Sequence, residues 1–526
     1  MAVRVLVSDS IAAEGLALLQ AQADVDVKTG LKPDQLAGIL GDYDALVVRS
    51  QTLVTAELIA VGRRLKVIGR AGVGVDNVDV DTATKQGIIV VNAPAANTIS
   101  AAEHTIALMM ALARHLPQAH GSLKVKRWDR NKFVGIEVHG KTLGVVGLGK
   151  IGLEVARRAQ GLDMKIVAFD PFVTAEHAHR LGIELLPLED VLRRGDFVTL
   201  HVPLTPSTEN LIGPKQLEWM QPHARLINCA RGGIVDEQAL YEAVERGQLA
   251  GAAVDVFTSE PATDNVLLQS DKIIVTPHLG ASTEEAQVRV SVETAEEVLA
   301  VLQGRPVRFA VNLPMTPEAA GVLWPYLTLG EKLGAFCVQM IEGQLDGVEV
   351  TYSGVLTGYD TAPLRAAILK GLLQPISDEH LSLVNADWHA QQRGLHIVER
   401  KSPQGRADNP NTVTVRAQTT QGSFEVEGTV VRQEPHFVRI NQFWIDVVPA
   451  GYLLLTRHTD KPGVIGRVGT ILGANDVNIS FMQVGRLAPR GEALMILGID
   501  EAISDDLRRH LLDGPDIQYI KLVKLS

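Results

Sequence analysis

Three polar side chains, Arg231, Glu260 and His278, follow three successive apolar runs in the middle of the chain. Each run is short enough to be a buried strand, and parallel strands bring their carboxyl ends to one edge of a sheet. We therefore expect the three side chains to face one cleft. A guanidinium holds a carboxylate with two parallel hydrogen bonds, an imidazole transfers protons near neutral pH, and a carboxylate orients that imidazole. Each residue alone is more often structural, but their joint order predicts proton transfer on a small carboxylate-bearing substrate.

A glycine-rich segment upstream supplies the other half of that chemistry. Gly147, Gly149 and Gly152 fit G-x-G-x-x-G between a strand pattern and a helical pattern, where a helix N-terminus receives a pyrophosphate. Asp170 ends the next strand pattern and would bind the ribose hydroxyls of NAD while repelling the extra phosphate of NADP. The alternative is a structural glycine turn followed by an Asp in a strand-end turn. The context favours a dinucleotide site with NAD as the cofactor, so that His278 would take the hydroxyl proton of a 2-hydroxy acid as hydride leaves.

The composition excludes several other classes of function. The chain has 526 residues, enough for about three or four domains, and 46% hydrophobic residues, which excludes wholesale disorder. A net charge of −11 and only 4% aromatic residues argue against a nucleic-acid partner. The two cysteines cannot form a disulfide framework or a four-cysteine metal site, and we expect no metal. Without a secretory signal or a long apolar run, we expect no membrane contact and a cytoplasmic location.

Apolar runs alternate with helical patterns through the first 97 residues and again from Lys141 to Thr276. Such alternation, with few hairpin signals, predicts parallel sheets covered by helices on both faces. The second stretch contains six strand patterns, the number in a complete dinucleotide-binding fold. Residues 98–118 predict a well-buried helix, with a capping box if Ser100 caps it and Glu103 occupies the third helical position. The fold class is therefore α/β, with two doubly wound, Rossmann-like domains.

The carboxyl-terminal third has a different pattern of apolar and polar residues. Pro314–Pro317 predicts a linker, and residues 412–449 alternate apolar and polar side chains with the period of antiparallel strands. Residues 451–526 then give strand, helix, strand, strand, helix and strand patterns in that order. This order predicts a ferredoxin-like βαββαβ domain after an α+β domain.

Residues 1–312 resemble the D-isomer-specific 2-hydroxyacid dehydrogenase family, and with its tail the whole chain resembles the family's long-form phosphoglycerate dehydrogenases. The segments that carry the resemblance are Arg70–Asp79, Asn97–Thr105, Gly147–Gly152 with Asp170, Asn228–Asp236, Asp255–Pro261 and Pro277–Thr283. One departure is Val73, where some relatives have threonine. We expect only a lost hydroxyl contact there.

The resemblance implies a discontinuous domain organisation. Residues 1–97 and 283–312 would form a substrate-binding domain, and residues 98–282 an NAD-binding domain inserted within it. Residues 316–450 would form an intervening domain with an allosteric or anion-binding role. Residues 451–526 would form an ACT regulatory domain.

The resemblance also implies roles for individual residues. It assigns Arg231 to substrate binding, Glu260 to supporting the histidine and His278 to proton transfer. Besides the glycine loop and Asp170, it places a further set of residues along NAD: Val73, Lys150, Ile151, Val202, Cys229, Ala230, Asp255 and Gly280. The substrate, including its phosphate, would be bound by a third set: Arg49, Gly74, Asn97 and Arg130, with Arg130 and Lys132 reaching the site of a neighbouring subunit.

The tail implies a regulatory site. His458, Asp460 and the following Pro-Gly turn, with Asn478, are similar to the amino-acid pocket of ACT modules. Asp460 would bind an ammonium group and Asn478 the backbone of an effector such as L-serine. The alternative is a dimerisation module that binds no ligand.

The function implied by the resemblance is NAD-dependent oxidation of D-3-phosphoglycerate to 3-phosphohydroxypyruvate by a homodimer or homotetramer. One alternative is another 2-hydroxyacid dehydrogenase, acting on glyoxylate, hydroxypyruvate or 2-oxoglutarate. A second is a non-catalytic NAD-sensing, corepressor-like protein. The acid–base set of Arg231, Glu260 and His278 disfavours the second alternative, because a pure binding protein needs no proton-transfer group.

Overall fold

The computed structural model describes residues 3–313, 315, 317–377, 381–405, 409–513 and 516–525. Pro314 and Thr316 of the expected linker lie outside them. The chain forms two compact units. The first contains Met1–Ser10, Ala17–Asn92 and Thr294–Ser526, and the second contains Ile11–Leu16 and Ala93–Glu293. Among the residues the model describes, no helix is long and apolar enough to cross a membrane.

The first unit begins with a five-stranded parallel sheet in the order β2-β1-β3-β4-β5. Its strands are β1 (Arg4–Val7), β2 (Asp24–Val27), β3 (Ala45–Val48), β4 (Val67–Arg70) and β5 (Ile89–Val91). The intervening helices are α1 (Ala13–Gln20), α2 (Pro33–Leu40), α3 (Ala56–Val61) and α4 (Val80–Lys85). All four side chains of β3 are buried, as expected for a strand covered on both faces.

The second unit is built on a seven-stranded parallel sheet, with one strand more than the sequence predicts. The strands are β6 (Thr142–Val146), β7 (Lys165–Phe169), β8 (Glu184–Leu185), β9 (Phe197–Leu200), β10 (Arg225–Asn228), β11 (Gly251–Val254) and β12 (Ile273–Val275). The strands lie in the order β12-β11-β10-β9-β6-β7-β8. Successive strands are added on one side of β6 up to β8 and on the other side from β9 onward, so the strand order reverses between β6 and β9. The additional strand is β8, a two-residue edge strand. In such sheets ligands bind outside the carboxyl ends of the strands at the reversal point.

Helices cover this second sheet. They are α5 (Thr98–Arg114), α6 (Leu116–Lys124), α7 (Lys150–Gln160), α8 (Ala175–Arg180), α9 (Leu188–Arg194), α10 (Pro214–Trp219), α11 (Glu237–Glu245) and α12 (Glu284–Leu302), the last of which continues into the first unit. Short 3₁₀ turns span Arg130–Lys132 and Val266–Gln269.

The expected helix over residues 98–118 is wrong in two respects. The N-cap is Asn97 rather than Ser100, because the helix starts two residues before Ser100. Ser100 is buried in the first turn, and its hydroxyl makes a 2.7 Å hydrogen bond with that of Thr283. The helix also ends at Arg114. Pro117 cannot continue it because its ring replaces the backbone N–H, so the chain turns through His115, whose φ is 53°, and starts α6.

The first unit continues with an α+β region, in which helices pack on one face of a six-stranded sheet. The helices are α13 (Pro317–Met340), α14 (Ala362–Leu373) and α15 (Ala386–Gln392), with 3₁₀ turns at Gly354–Gly358 and Gln374–Ile376. The strands are β13 (Leu345–Ser353), β14 (His396–Ser402), β15 (Val413–Thr419), β16 (Gly422–Val431), β17 (Glu434–Ile440) and β18 (Phe443–Val447). β15 to β18 pair antiparallel, which confirms the alternation seen over residues 412–449. Fully buried Phe336, Ile368 and Phe437 lie in the shared core.

The last block confirms the predicted βαββαβ order. Its elements are β19 (Gly451–Thr459), α16 (Val464–Ala474), β20 (Ile479–Arg486), β21 (Glu492–Ile499), α17 (Asp505–Leu512) and β22 (Ile517–Leu525). The sheet order is β20-β21-β19-β22, and every pairing is antiparallel. One face packs under α16 and α17, while Leu453 and Leu455 on the other face join the core of α13.

Candidate active site

The glycine loop between β6 and α7 leaves no room for side chains at two of its positions. Gly147 has a φ of 98°, and a Cβ there would lie 2.6 Å from the carbonyl oxygen of His201. A Cβ on Gly152 would lie 2.0 Å from the carbonyl oxygen of Gly147. Gly149 caps α7 and faces open space. The loop therefore presents bare backbone at a helix N-terminus, which fits a pyrophosphate.

Asp170 is fixed beside this loop at the end of β7. Its Oδ2 accepts a 2.8 Å hydrogen bond from the N–H of Leu148, and its Oδ1 accepts one of the same length from the N–H of Phe172. Each carboxylate oxygen has a further lone pair. The carboxylate is thus held at the rim of the loop with acceptor capacity for two ribose hydroxyls.

Glu260 and His278 make the hydrogen bond that the sequence predicts. Glu260 Oε2 lies 2.9 Å from His278 Nδ1, and Glu260 Oε1 accepts the N–H of Phe257 at 3.1 Å. The side chains are 37% and 49% exposed, so both are accessible to a small molecule. Because Glu260 engages Nδ1, Nε2 is the ring nitrogen left to exchange a proton with a substrate.

The backbone at His278 has an unusual conformation that Asp255 stabilises. His278 has a φ of 55°, in the left-handed region. The buried carboxylate of Asp255 accepts the N–H groups of Leu279 at 2.8 Å and Gly280 at 2.9 Å. Burial acts to raise the pKa of Asp255, but hydrogen bonds from His104, Thr276 and Leu279 outweigh it and hold the pKa below its usual range. Asp255 is therefore an ionised anchor for the turn that carries His278.

His104 on α5 is a residue that sequence reasoning missed. Its Nε2 lies 3.2 Å from Oδ1 of Asp255 and 3.3 Å from the hydroxyl of Thr276. A single histidine in an apolar helical pattern gives no sequence signal of such a contact. Only the packing of α5 against the neighbouring strands reveals it.

Arg231 lies in a loop that packs against the segment leading to Glu260. Its Nη1 donates to the carbonyl of Ala230 at 2.7 Å, and its own carbonyl accepts the side-chain amide of Asn228 at 3.0 Å. A Cβ on Gly232 would lie 1.9 Å from the carbonyl oxygen of Phe257. The strand-end loops after β10 and β11 are thus in direct contact, as the parallel topology requires.

The other residues expected along NAD in this unit occupy varied positions. A Cβ on Gly147 would lie 2.9 Å from the side chain of Val202. Lys150 and Ile151 are the first residues of α7, and the N–H of Ala230 donates to Oδ1 of Asn228 at 3.1 Å. Cys229 is buried, and burial raises the pKa of its thiol to about 12. It is therefore a packing residue rather than a nucleophile.

Two residues of this unit were expected near the substrate. Oδ1 of Asn97 is buried and has no hydrogen-bond partner in the described part of the chain. A buried acceptor without a partner is rare and fits a ligand that donates to it. Arg130 is exposed in a 3₁₀ turn, and the neighbouring Lys132 lies 3.7 Å from the carboxylate of Asp129.

In the first unit, Arg49 follows β3 and is held by two residues that the sequence analysis did not single out. Asp9 accepts the N–H of Arg49 at 2.6 Å, and Asn77 donates to the carbonyl of Arg49 at 2.6 Å. Val73 and Gly74 follow β4, where the carbonyl of Val73 accepts from Asn92. These residues share the carboxyl edge of the first sheet. Asp9 could have been found, since it closely follows the apolar run of β1.

The regulatory candidates lie at the end of β19 and the start of β20. His458 is buried, and burial lowers the pKa of its imidazole although a hydrogen bond with the backbone of Thr456 acts in the opposite direction. Asp460 accepts from the N–H of Arg490 at 3.1 Å and from Arg486 at 3.2 Å, bonds that lower its pKa. Asn478 donates to Asp500 at 2.7 Å. An amino acid would have to displace bonds that Asp460 and Asn478 already make.

A cavity of about 80 Å³ lies at the start of α16 and is lined by Pro462, Gly463, Val464, Arg467, Asp516 and Ile517. Within the described ranges, no cluster of three or more histidine, cysteine, aspartate or glutamate side chains is arranged to hold a metal ion.

Comparison with protein families gives three matches. Residues 106–280 match the NAD-binding domain of D-isomer-specific 2-hydroxyacid dehydrogenases. Residues 322–441 match the D-3-phosphoglycerate dehydrogenase intervening domain, and residues 452–513 match the ACT domain. The first match shows that the cofactor of this domain is NAD.

Whole proteins match as well. The chain is 47% identical over 525 residues to D-3-phosphoglycerate dehydrogenase of Synechocystis sp., an alignment that covers 99% of this chain and 95% of that one. It is 43% identical to the enzyme of the same name from Methanocaldococcus jannaschii, covering 99% of this chain and all of that one. The crystal structure of the TT0316 protein from Thermus thermophilus is 34% identical, with a TM-score of 0.55 over 59% of this chain and 99% of that one. The chain therefore belongs to the D-3-phosphoglycerate dehydrogenase family, in its long form with intervening and ACT domains, and is an NAD-dependent 2-hydroxyacid dehydrogenase.

Proposed function

We propose that the protein oxidises D-3-phosphoglycerate to 3-phosphohydroxypyruvate, the first step of the phosphorylated route to L-serine. The observation that carries the dehydrogenase chemistry is the Glu260–His278 hydrogen bond, 2.9 Å long, in the same unit as the glycine loop. The full-length similarity to D-3-phosphoglycerate dehydrogenases supports the choice of substrate. A protein that only senses NAD needs no imidazole oriented by a carboxylate for proton transfer. The Glu260–His278 pair therefore disfavours the corepressor alternative.

The residues act in a simple sequence. NAD⁺, when bound, supplies the acceptor for the hydride on C2 of the substrate. Arg231 binds the substrate carboxylate and fixes C2 relative to His278. Nε2 of His278 takes the hydroxyl proton while Glu260 stabilises the imidazolium that forms. In the reductive direction the imidazolium returns that proton.

The substrate phosphate has a less complete set of ligands. We assign Arg49 to the phosphate, because it lies at the carboxyl edge of the first sheet, and Gly74 and Asn97 to the rest of the substrate. The unpartnered buried oxygen of Asn97 accepts hydrogen bonds, so its partner would be a donor group rather than a phosphate oxygen. Residues 1–97 with 283–312 would be the substrate-binding domain and residues 98–282 the NAD-binding domain. Residues 316–450 and 451–526 would relay regulation. The remaining NAD contacts are assigned as the family pattern implies.

Asp170→Ala should weaken NAD binding much more than NADP binding. The carboxylate accepts hydrogen bonds from the ribose hydroxyls of NAD, whereas it repels the 2′-phosphate of NADP. Its removal should therefore weaken NAD binding and remove the repulsion that opposes NADP binding. Losing one hydrogen bond to a charged group costs about 1.5–3 kcal/mol, so the Kd for NAD should rise about 10- to 100-fold for each ribose hydroxyl that loses its acceptor. Calorimetric titration of both nucleotides measures the difference. An equal loss for both would refute the ribose assignment.

A steady-state assay over a panel of 2-hydroxy and 2-oxo acids, phosphorylated and unphosphorylated, tests the substrate. D-3-phosphoglycerate and 3-phosphohydroxypyruvate should give the highest kcat/KM, because their phosphate adds charge-assisted hydrogen bonds to Arg49. Glycerate and glyoxylate serve as matched controls without phosphate. A best substrate without phosphate would favour the glyoxylate, hydroxypyruvate or 2-oxoglutarate alternative.

We further infer a homo-oligomer. Residues 116–134 expose an unusual number of large apolar side chains for a free surface, among them Trp128 at 80% and Val134 at 77%. A second copy of the chain would cover them and would bring Arg130 towards the neighbouring site. Sedimentation equilibrium distinguishes dimer, tetramer and monomer.

L-Serine is the effector we assign to His458, Asp460 and Asn478. Repeating the assay with L-serine tests this, and unchanged kinetics would leave the ACT domain as an assembly module. Both cysteines are buried and unpaired, which fits a reducing compartment, and we place the enzyme in the cytoplasm.

A further inference from the structure

We propose that Glu237, the first residue of α11, is a positioning residue that fixes the loop carrying Glu260 and thereby holds His278 in its proton-transferring orientation. The inference rests on the proposed roles of Glu260 and His278. The contacts of the Glu237 carboxylate that carry it are all with that loop.

The loop in question, residues 258–265 and here termed the Glu260 loop, is mostly exposed. Glu237 holds it at both ends. Oε1 of Glu237 accepts the N–H of Thr258 at 2.7 Å and the hydroxyl of Thr258 at 2.9 Å. Oε2 accepts the side-chain amide of Asn265 at 2.6 Å. One carboxylate thus closes the loop with charge-assisted hydrogen bonds to its first and last residues.

The position of Glu260 depends on the start of this loop. Glu260 lies two residues beyond Thr258, and its carboxylate is tied back to the N–H of Phe257 at 3.1 Å. Phe257 is buried, so its N–H is a fixed point, whereas Thr258 is exposed and begins the chain segment that leads to Glu260. A shift of Thr258 would therefore displace the backbone of Glu260 relative to the N–H of Phe257. Catalysis is sensitive to such shifts, since misplacement by about 1 Å can cost about 100-fold in rate.

Glu237 is well placed for this task because it sits on a rigid element. It begins α11, whose N-cap Asp236 accepts the N–H of Ala239 at 3.0 Å. The positive end of the helix dipole favours a carboxylate at that position. Asn265 is itself oriented by the N–H of Leu267, which its Oδ1 accepts at 3.0 Å. The Glu237–Asn265 hydrogen bond therefore joins the start of α11 to the start of the 3₁₀ turn over Val266–Gln269.

The test is a double-mutant cycle on the full-length enzyme. Glu237→Ala should lower kcat about 10-fold while the KM values for NAD and substrate stay within about 2-fold, because positioning affects the proton-transfer step rather than binding. Combined with Glu260→Gln, the same substitution should cost less than about 2-fold more, because residues that act through one another are not additive. Glu242→Ala, at a partly exposed carboxylate of the same helix, is the matched control and should leave kcat unchanged.

Each outcome decides the matter. If Glu260→Gln alone leaves turnover intact, the proposed role of Glu260 fails, whereas a normal kcat for Glu237→Ala with an impaired Glu260→Gln overturns the positioning role alone. Additive losses in the cycle would also overturn it. If Glu237→Ala does not fold, Glu237→Gln and Asn265→Ala carry the test. The glutamine keeps an acceptor for Thr258 and should recover at least half of wild-type kcat, and Asn265→Ala should lower kcat without changing KM.

Discussion

His278→Ala should lower kcat by about 10²–10⁴-fold while the Kd for NAD stays within about 2-fold of the wild-type value. In the proposed mechanism the imidazole acts on the substrate hydroxyl, whereas the nucleotide is assigned to the glycine loop and to Asp170, whose carboxylate accepts the N–H of Leu148. Removal of the ring therefore takes away general-base catalysis without removing a cofactor contact. Single-turnover kinetics measure the chemical step, and titration of NAD measures binding.

Two comparisons make the result specific to His278. His177→Ala, at an exposed histidine on α8, should have no effect on either quantity. Added imidazole should restore part of the activity of His278→Ala, because the substitution leaves a space beside Glu260 for the free base. A variant with unchanged turnover would remove His278 from the mechanism.

The sequence was sufficient for those parts of the fold that have a strong period. The strand patterns of the second unit and the βαββαβ order of the tail are confirmed, because buried parallel strands are continuous apolar runs and half-buried strands alternate. β2 and β8 escaped notice. β2 reads Asp-Val-Asp-Val on a sheet edge with no fully buried residue, and β8 has only two residues.

Most contacts between distant segments could not be predicted from the sequence, and the Glu260–His278 hydrogen bond is the exception. Glu260 and His278 could be paired because each follows a strand of the same sheet, and parallel topology alone brings them together. Asp255 was expected along NAD, but its bonds to the N–H groups after His278 depend on the left-handed turn at that residue. Ser100 was expected as a cap, but the helix starts at Thr98, and the hydroxyl of Ser100 bonds to that of Thr283 from inside the first turn. Local propensity decides neither case.

Arg231→Lys should raise the KM for substrate by about 10- to 100-fold with a smaller change in kcat. A lysine keeps the positive charge but replaces a planar two-pronged donor with a single point, so one hydrogen bond to the carboxylate is lost, at a cost of about 1.5–3 kcal/mol. Nη1 of Arg231 also donates to the Ala230 carbonyl, a bond that fixes the fork and that a lysine would not reproduce. The lost hydrogen bond stabilises the bound substrate and the transition state alike, so its loss should raise KM more than it lowers kcat.

Initial rates over a range of substrate concentrations, at saturating NAD, separate KM from kcat for this variant. Arg246→Lys is the matched control, since Arg246, which caps the end of α11, is exposed and pairs with Glu242 at 2.7 Å, away from the cleft residues. The control should match the wild type in both constants. Near wild-type kinetics for Arg231→Lys would show that the carboxylate needs only a positive charge, and the bidentate role would then have to be abandoned. A loss confined to kcat, with KM unchanged, would instead place Arg231 on the negative charge that develops on the C2 oxygen, because only an interaction made in the transition state alters kcat alone.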